Sequence, residues 1–307
     1  MKFTKLAMGI ALAMAASTSF AANYIDVGVE ENEITMDDAP GQNGDFYQTY
    51  VGFNFEPIEG SPFHIMGTMS NLQADASKNR EGWNRLRRQL YVGYKWNFGN
   101  LTFAPMAGIR HHTYDHEAKR RDTEVRFFPG LNYKVSDTTD IFFGGYTSLI
   151  PTRNVDRSGE TSDYKEYTDY KHELEVGVKQ KLSWGDYFKV GVFNELDTFE
   201  DRIGAGKTEM DQWMIRLAYG SQVTDALFLE GIARFDVQRD NEYADGIVRD
   251  EKRNRYGVNF NYKLDQDWNI HGMAYYQTED NKDRLTGADA QYTNEKFVYS
   301  LMVRRSF

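Results

Sequence analysis

The sequence predicts an all-β fold, a transmembrane antiparallel up-and-down β-barrel of about fourteen strands. Three observations predict it. Apolar and polar residues alternate with period two from residue 23 to residue 307. The connections between alternating segments are short and long by turns. Aromatic residues are abundant, with 20 Tyr, 20 Phe and 5 Trp, while no run of apolar residues after the first twenty is long enough for a spanning helix.

The alternation is clearest in the last segment. Phe297, Tyr299, Leu301, Val303 and Phe307 share one face, and Lys296, Ser300, Arg304 and Ser306 the other. In 83–98, Leu86, Leu90, Val92, Tyr94, Trp96 and Phe98 oppose Arg85, Arg87, Gln89, Gly93, Lys95 and Asn97. In 121–135, Val125, Phe127, Leu131 and Tyr133 oppose Asp122, Glu124, Arg126, Asn132 and Lys134. The same reading along the chain predicts strands at 23–35, 45–57, 62–74, 83–98, 101–115, 121–135, 139–153, 166–182, 187–199, 208–223, 226–239, 250–264, 267–279 and 292–307. These exceed the ~5–6 residues usual in soluble sheets and suit the roughly 9–11 residues a tilted strand needs to cross a bilayer.

Short connections fall at Pro57–Ser61, Gly99-Asn100, Ser136–Thr138, Ser183–Asp186, Thr224-Asp225 and Asp265-Gln266. Long polar ones fall at 36–44, 75–82, 153–165, 200–207, 240–249 and 280–291. Such asymmetry belongs to bacterial barrels with turns on the periplasmic side and loops outside. Closure has a physical cause: in hydrocarbon an unpaired backbone group costs several kcal/mol, so a spanning sheet can have no edge. An even strand count lets the last strand pair antiparallel with the first. Trp96, Phe98, Trp184, Tyr187, Phe188 and Trp268 lie near strand ends, where interfacial aromatic girdles are expected.

Lys2 and Lys5, an apolar stretch from Leu6 to Ala16 and the small residues of Ser19-Phe20-Ala21 predict a secretory signal over 1–21, leaving 22–307 as the barrel. The chain has no cysteine, so a continuous hydrogen-bonded sheet, not disulfides, must supply stability. Removing the two signal lysines takes the formal charge from −10 to about −12, which argues against a nucleic-acid partner.

The signal segment, fourteen strands, two classes of connection and a final strand ending in Ser306-Phe307 together resemble the monomeric outer-membrane porin G type. The oligogalacturonate-porin family, with fewer strands, is the nearest competitor. The resemblance implies a single-chain, water-filled channel in the outer membrane of a Gram-negative bacterium, passing oligosaccharides and small hydrophilic solutes down their gradient. It implies outer-membrane lipid and lipopolysaccharide as surroundings, and reading of the last strand, ending in Phe307, by the barrel assembly machinery. The porin G family gates with a histidine pair near its outer mouth. Strands eleven to thirteen carry no matching pair, since His271 falls on the periplasmic side.

Side chains opposite the apolar face line the interior. Arg85, Arg87, Arg110, His112 and Arg126 fall on strands four to six, with Arg87 beside His112 by turn pairing. Arg216, Arg234, Arg253 and Arg255 fall on strands ten to twelve, half the circumference away. Between them, Glu173 and Glu175 are expected to pair with Asp197 and Glu195. One reading is a constriction whose arginines grip acidic or hydroxyl-rich sugars. The other is mixed interior charge that neutralises itself through salt bridges.

Two enzymatic or metal readings carry less. Asp37-Asp38 and Asp115-His116 invite comparison with outer-membrane aspartate/histidine proteases, but loop acids are common solvated surface and the strand count is too high. On a strand His112 and His116 share a face while His111 points away, and two imidazoles without a third ligand make a weak metal site. The expectation is no enzyme, no metal and no cofactor. An inward fold of 153–165 would narrow the interior, and its polarity equally suits a free loop.

Overall fold

A computed structural model of the chain describes residues 24–36, 44–58, 61–74, 84–115, 121–154, 168–199, 207–243, 246, 248–283 and 289–307. The segment 1–21 and most residues of the long connections lie outside the described residues.

Seventeen ladder segments make fourteen strands, because three strands are each interrupted once. The strands are β1 (Tyr24–Met36), β2 (Gly44–Phe55), β3 (Phe63–Ala74), β4 (Asn84–Tyr94, then Trp96–Phe98) and β5 (Leu101–Phe103, then Met106–Asp115). There follow β6 (Arg121–Phe128, then Leu131–Lys134), β7 (Thr139–Asn154), β8 (Asp169–Lys181), β9 (Tyr187–Thr198) and β10 (Lys207–Gln222). The last four are β11 (Leu227–Tyr243), β12 (Val248–Lys263), β13 (Trp268–Asp283) and β14 (Asp289–Ser306). Each pairs antiparallel with its sequence neighbours, and β1 closes the ring on β14 from Tyr24↔Ser306 to Met36↔Asn294. The barrel therefore has no free edge, as hydrocarbon requires.

The interruptions follow from the residues. Pro129 offers no N–H to the ladder. Gly130 beside it has φ +47°, and a Cβ there would stand 2.3 Å from the Ala104 carbonyl oxygen. Ala104 N–H donates to Gly130 O at 2.7 Å, so β5 and β6 stay joined across both irregularities.

Side chains close the turns at one end of the barrel. Asp265 Oδ1 accepts the backbone N–H groups of Asp267 and Trp268 at 2.9 and 2.8 Å. Ser136 Oγ accepts those of Thr138 and Thr139, and Thr224 Oγ1 those of Ala226 and Leu227. These local bonds supply acceptors for backbone donors that leave the ladder. In the turn between β8 and β9, the Tyr219 hydroxyl donates to Asp186 and holds its carboxyl below the usual carboxylate range, and the Trp184 indole donates to the same group at 2.9 Å.

The outer wall is apolar and bare. Leu90 is 55% exposed and Leu149 54%, and Val92, Ile109, Val125, Phe127, Val176, Val192, Leu301 and Tyr299 are exposed beside them. An uncovered apolar wall of this extent is unfavourable in water and favourable in lipid. Aromatic pairs sit near the turn end, with Trp96 against Tyr94 at 4.4 Å and stacked on Phe103 at 5.5 Å. Many buried residues point inward and are polar or charged, among them His112, Glu124, Arg126, Gln212, Arg239 and Gln277.

Candidate functional site

Strand registers place the interior side chains row by row. On β4 and β5, Arg87 stands opposite His112 and Gln89 opposite Arg110, while Arg110 faces Glu124 on β6. Glu124 is the hub of this wall. It accepts from Arg110 Nε at 3.0 Å and Nη2 at 2.7 Å, and from Arg126 Nε at 2.7 Å. His112 Nε2 lies 3.4 Å from the same carboxylate. The Arg126 guanidinium also stacks 3.7 Å above the Tyr146 ring on β7. Arg85 and Arg87 differ: the Nε of each is buried without a hydrogen-bond partner, and no carboxylate among the described residues pairs with either guanidinium.

The facing wall is built by three consecutive strands. Arg216 on β10 stands opposite Arg234 on β11, and Arg234 opposite Arg255 on β12, so three inward arginines form one row across the ladder. Strands lie ~4.8 Å apart, which sets the stems along an arc of roughly 10 Å. Arg216 Nη1 donates to Glu175 Oε2 at 3.0 Å, and its guanidinium lies 3.2 Å above Phe193. Arg255 donates from Nε and Nη2 to Gln277 Oε1 at 3.2 and 2.7 Å and lies 4.2 Å above Tyr275. Arg234 has no carboxylate ion pair among the described residues. Because β4 and β11 are seven strands apart in a ring of fourteen, the two arginine walls face each other.

Between them runs an acidic arc on β8 and β9, and its register corrects the sequence reading. Glu173 stands opposite Glu195, Glu175 opposite Phe193, and Lys171 opposite Asp197. Carboxylates directly opposite each other repel. Lys171 relieves this by pairing with Glu195 at 2.6 Å and Glu173 at 3.2 Å, while the Tyr146 hydroxyl donates to Glu173 at 2.5 Å. Glu175 is shared between Lys189 and Arg216, each at 3.0 Å.

Around Arg253, already in the sequence-derived set, the structure adds the interior residues Glu279, Arg239 and Glu251. Beyond Arg255, β12 carries Arg253, whose Nε lies 3.2 Å from Glu279, and Glu279 also pairs with Arg239 at 2.9 Å. Arg239 completes the group through Glu251 at 2.8 Å. Strict alternation would put Arg239 on the outer wall, since it differs in parity from Arg234. A β-bulge reverses that: Trp213 pairs with Gln238 and Met214 with Asp236, leaving Val237 unpaired and 66% exposed. Beyond the bulge, β11 and β12 stop pairing between Arg234 and Asp240. Asp236 fills part of this gap, accepting the Arg253 backbone N–H at 2.6 Å and the Gln212 amide at 2.5 Å. Glu124, Lys171 and Glu279 were legible as inward by parity, and only their role as counter-charges needed the three-dimensional register.

His111 points outward, with Nδ1 3.0 Å from Thr123 Oγ1, and so does not join His112. No group of three His, Cys, Asp or Glu among the described residues is arranged to hold a metal ion. Asp37, Asp38, His116 and most of 153–165 lie outside the described residues.

Residues 3–181, more than half of the chain, match the family model described as the outer membrane protein beta-barrel domain. The chain belongs to that family. No curated protein sequence matches this outer-membrane barrel. Among solved structures it is similar to a FadL homologue of Pseudomonas aeruginosa, with a TM-score of 0.54 and 12% identity over 95% of this chain and 92% of that one. The toluene transporter TodX of P. putida gives a TM-score of 0.54 and 7% identity over 95% and 91%. CymD, a monoaromatic hydrocarbon channel, gives 0.53 and 10% over 97% and 92%. At these identities the likeness concerns the fold. The family and the closed fourteen-strand ring agree with the outer-membrane barrel expected from sequence; membership of the porin G or oligogalacturonate-porin families is not among these matches.

Proposed function

We propose that this outer-membrane barrel is a passive channel for hydrophilic solutes, and that it favours anionic oligosaccharides and other small anions. The observation that carries the reading is the pair of facing arginine walls in which Arg85, Arg87 and Arg234 have no carboxylate ion pair among the described residues. A guanidinium offers a planar fork of donors to a carboxylate or to sugar hydroxyls, and several in a row hold a sliding chain without gripping it at one point. Tyr146 and Tyr275 are buried beneath the Arg126 and Arg255 guanidiniums, so charged groups and not aromatic faces meet a passing solute. A ring of fourteen strands falls between eight-stranded barrels, filled by their own side chains, and sixteen-stranded ones, which leave a channel.

The hydrocarbon transport named for TodX and CymD suits this chain less well. An apolar solute gains nothing from arginines, and stripping their hydration would cost several kcal/mol per ion. The closed turns then face the periplasm and the long connections the exterior, and the ring formed by one chain acts as a monomer. Reconstitution tests the proposal. In planar bilayers under a salt gradient the reversal potential should show anion preference, and liposomes should swell faster in uronate oligosaccharides than in neutral ones of equal size. Cation preference, or no conductance at all, would reject it.

A further inference from the structure

We infer that the outer wall of β4–β6 carries a docking site for the phosphorylated glucosamine headgroup of lipid A. The inference rests on the membership of the outer-membrane barrel family and on the loop end facing outward, and not on what passes through the interior.

The outer wall turns from apolar to polar on these strands. Leu90, Ile109 and Val125 form one exposed apolar row. The next row toward the loop end is Arg88, His111 and Thr123, and the one beyond it is Leu86, Thr113 and Arg121. Arg88 and Arg121 are exposed and have no ion pair among the described residues. Two guanidiniums therefore point outward in the first two rows above the apolar row, Arg88 in the first and Arg121 in the second, at the level where a lipid headgroup meets the wall. The hydroxyls of Thr113 and Thr123 already flank His111, at 3.4 and 3.0 Å. Donors and acceptors of this kind suit sugar hydroxyls beside a phosphate. Asp115 ends β5 one row further out.

Among the described residues, the outer rim from β8 round to β2 is of the opposite kind. On β8–β10 the outward polar groups bond to one another: the His172 ring nitrogen lies 2.5 Å from Asn194 Oδ1, and Asn194 Nδ2 donates to Asp211 at 2.7 Å. From β10 through β14 to β2 the outward positions near the loop end are dominated by carboxylates. An acidic arc repels a phosphate and a self-satisfied one offers it few free donors, whereas the β4–β6 arc holds cations with no ion pair among the described residues above an apolar wall that fits acyl chains. Charge complementarity thus selects one side of the barrel and one occupant, a doubly phosphorylated, acylated disaccharide.

Native mass spectrometry of the detergent-solubilised full chain tests this with bisphosphorylated lipid A, the same lipid dephosphorylated, phosphatidylglycerol and inorganic phosphate as separate probes. Wild type should retain bisphosphorylated lipid A. Arg88→Gln with Arg121→Gln should reduce retention about tenfold, Arg88→Lys with Arg121→Lys should keep it within about threefold, and Lys252→Gln, elsewhere on the outer wall, should change nothing. Heat-modifiable electrophoretic mobility confirms that each variant is a folded barrel. Equal retention by the double glutamine variant overturns the site. Equal binding of dephosphorylated lipid A or phosphatidylglycerol overturns its specificity, and displacement by inorganic phosphate at similar concentration makes it a free-anion site instead.

Discussion

Asp236 accepts the backbone N–H of Arg253 at 2.6 Å, in the stretch where β11 and β12 have ceased to pair with each other. A side-chain carboxylate stands in for the carbonyl that the Val237 bulge displaces, and the Gln212 amide secures it from the neighbouring strand. Asp236→Ala should therefore lower stability by about 1.5–3 kcal/mol, the usual loss for hydrogen bonds to a charged group. Asp236→Asn keeps one acceptor and should lose less. Unfolding midpoints in guanidinium, followed by the heat-modifiable band, provide the measurement; an Ala variant as stable as wild type would show that the gap needs no stitch.

The arginine row makes selectivity tunable by charge. A unit charge ~8 Å from a passing ion in water contributes about 0.5 kcal/mol, roughly a twofold change in relative permeability. Arg234→Gln, the middle of the row and without a carboxylate pair among the described residues, should reduce the anion-to-cation ratio by about that factor, and Arg234→Glu by about its square. Reversal potentials measure both. No change in either would place the row off the conduction path.

Glu124 should behave in the opposite sense. It neutralises Arg110 and Arg126 together, with His112 at 3.4 Å. Glu124→Gln leaves those cations without their counter-charge, so anion preference should rise roughly twofold by the same Coulomb argument. Breaking a buried pair costs ~3–5 kcal/mol in dry interiors, and the water expected inside this barrel should reduce the loss to about 2 kcal/mol. A variant with unchanged reversal potential and unchanged unfolding midpoint would remove Glu124 from both roles.

Most of the architecture was legible because period two is a property of the strand itself, and lipid on one side with water on the other forces it into the residues. Arg87 beside His112 followed directly, since the two-residue Gly99-Asn100 turn leaves little freedom in register. The acidic arc did not. The β8–β9 turn admits more than one register, and a shift of two residues keeps every side chain on its face while changing every partner. Glu173 therefore meets Glu195, and Lys171, unremarkable in the alternation, becomes the group both depend on. Arg239 was hidden for another reason: one extra residue inverts parity for the remainder of the strand, and nothing in Phe235-Asp236-Val237-Gln238 announces it.

That inversion can be tested directly. Deleting Val237 restores uninterrupted alternation, and the residues beyond it must then turn over. Arg239 and Asn241, both buried on the inner side, would move to the outer wall, while Gln238 and Asp240 would move inward. Arg239 would leave Glu251 without its ion pair and Glu279 with Arg253 alone, and would itself face the rim of the lipid layer. The deletion should abolish the heat-modifiable barrel or lower its unfolding midpoint far more than Val237→Ala, which trims an exposed side chain and keeps the bulge. If the deletion folds as well as wild type, with cysteine at the former Arg239 position still modified only from the interior by a charged thiol reagent, the bulge does not set which side Arg239 faces.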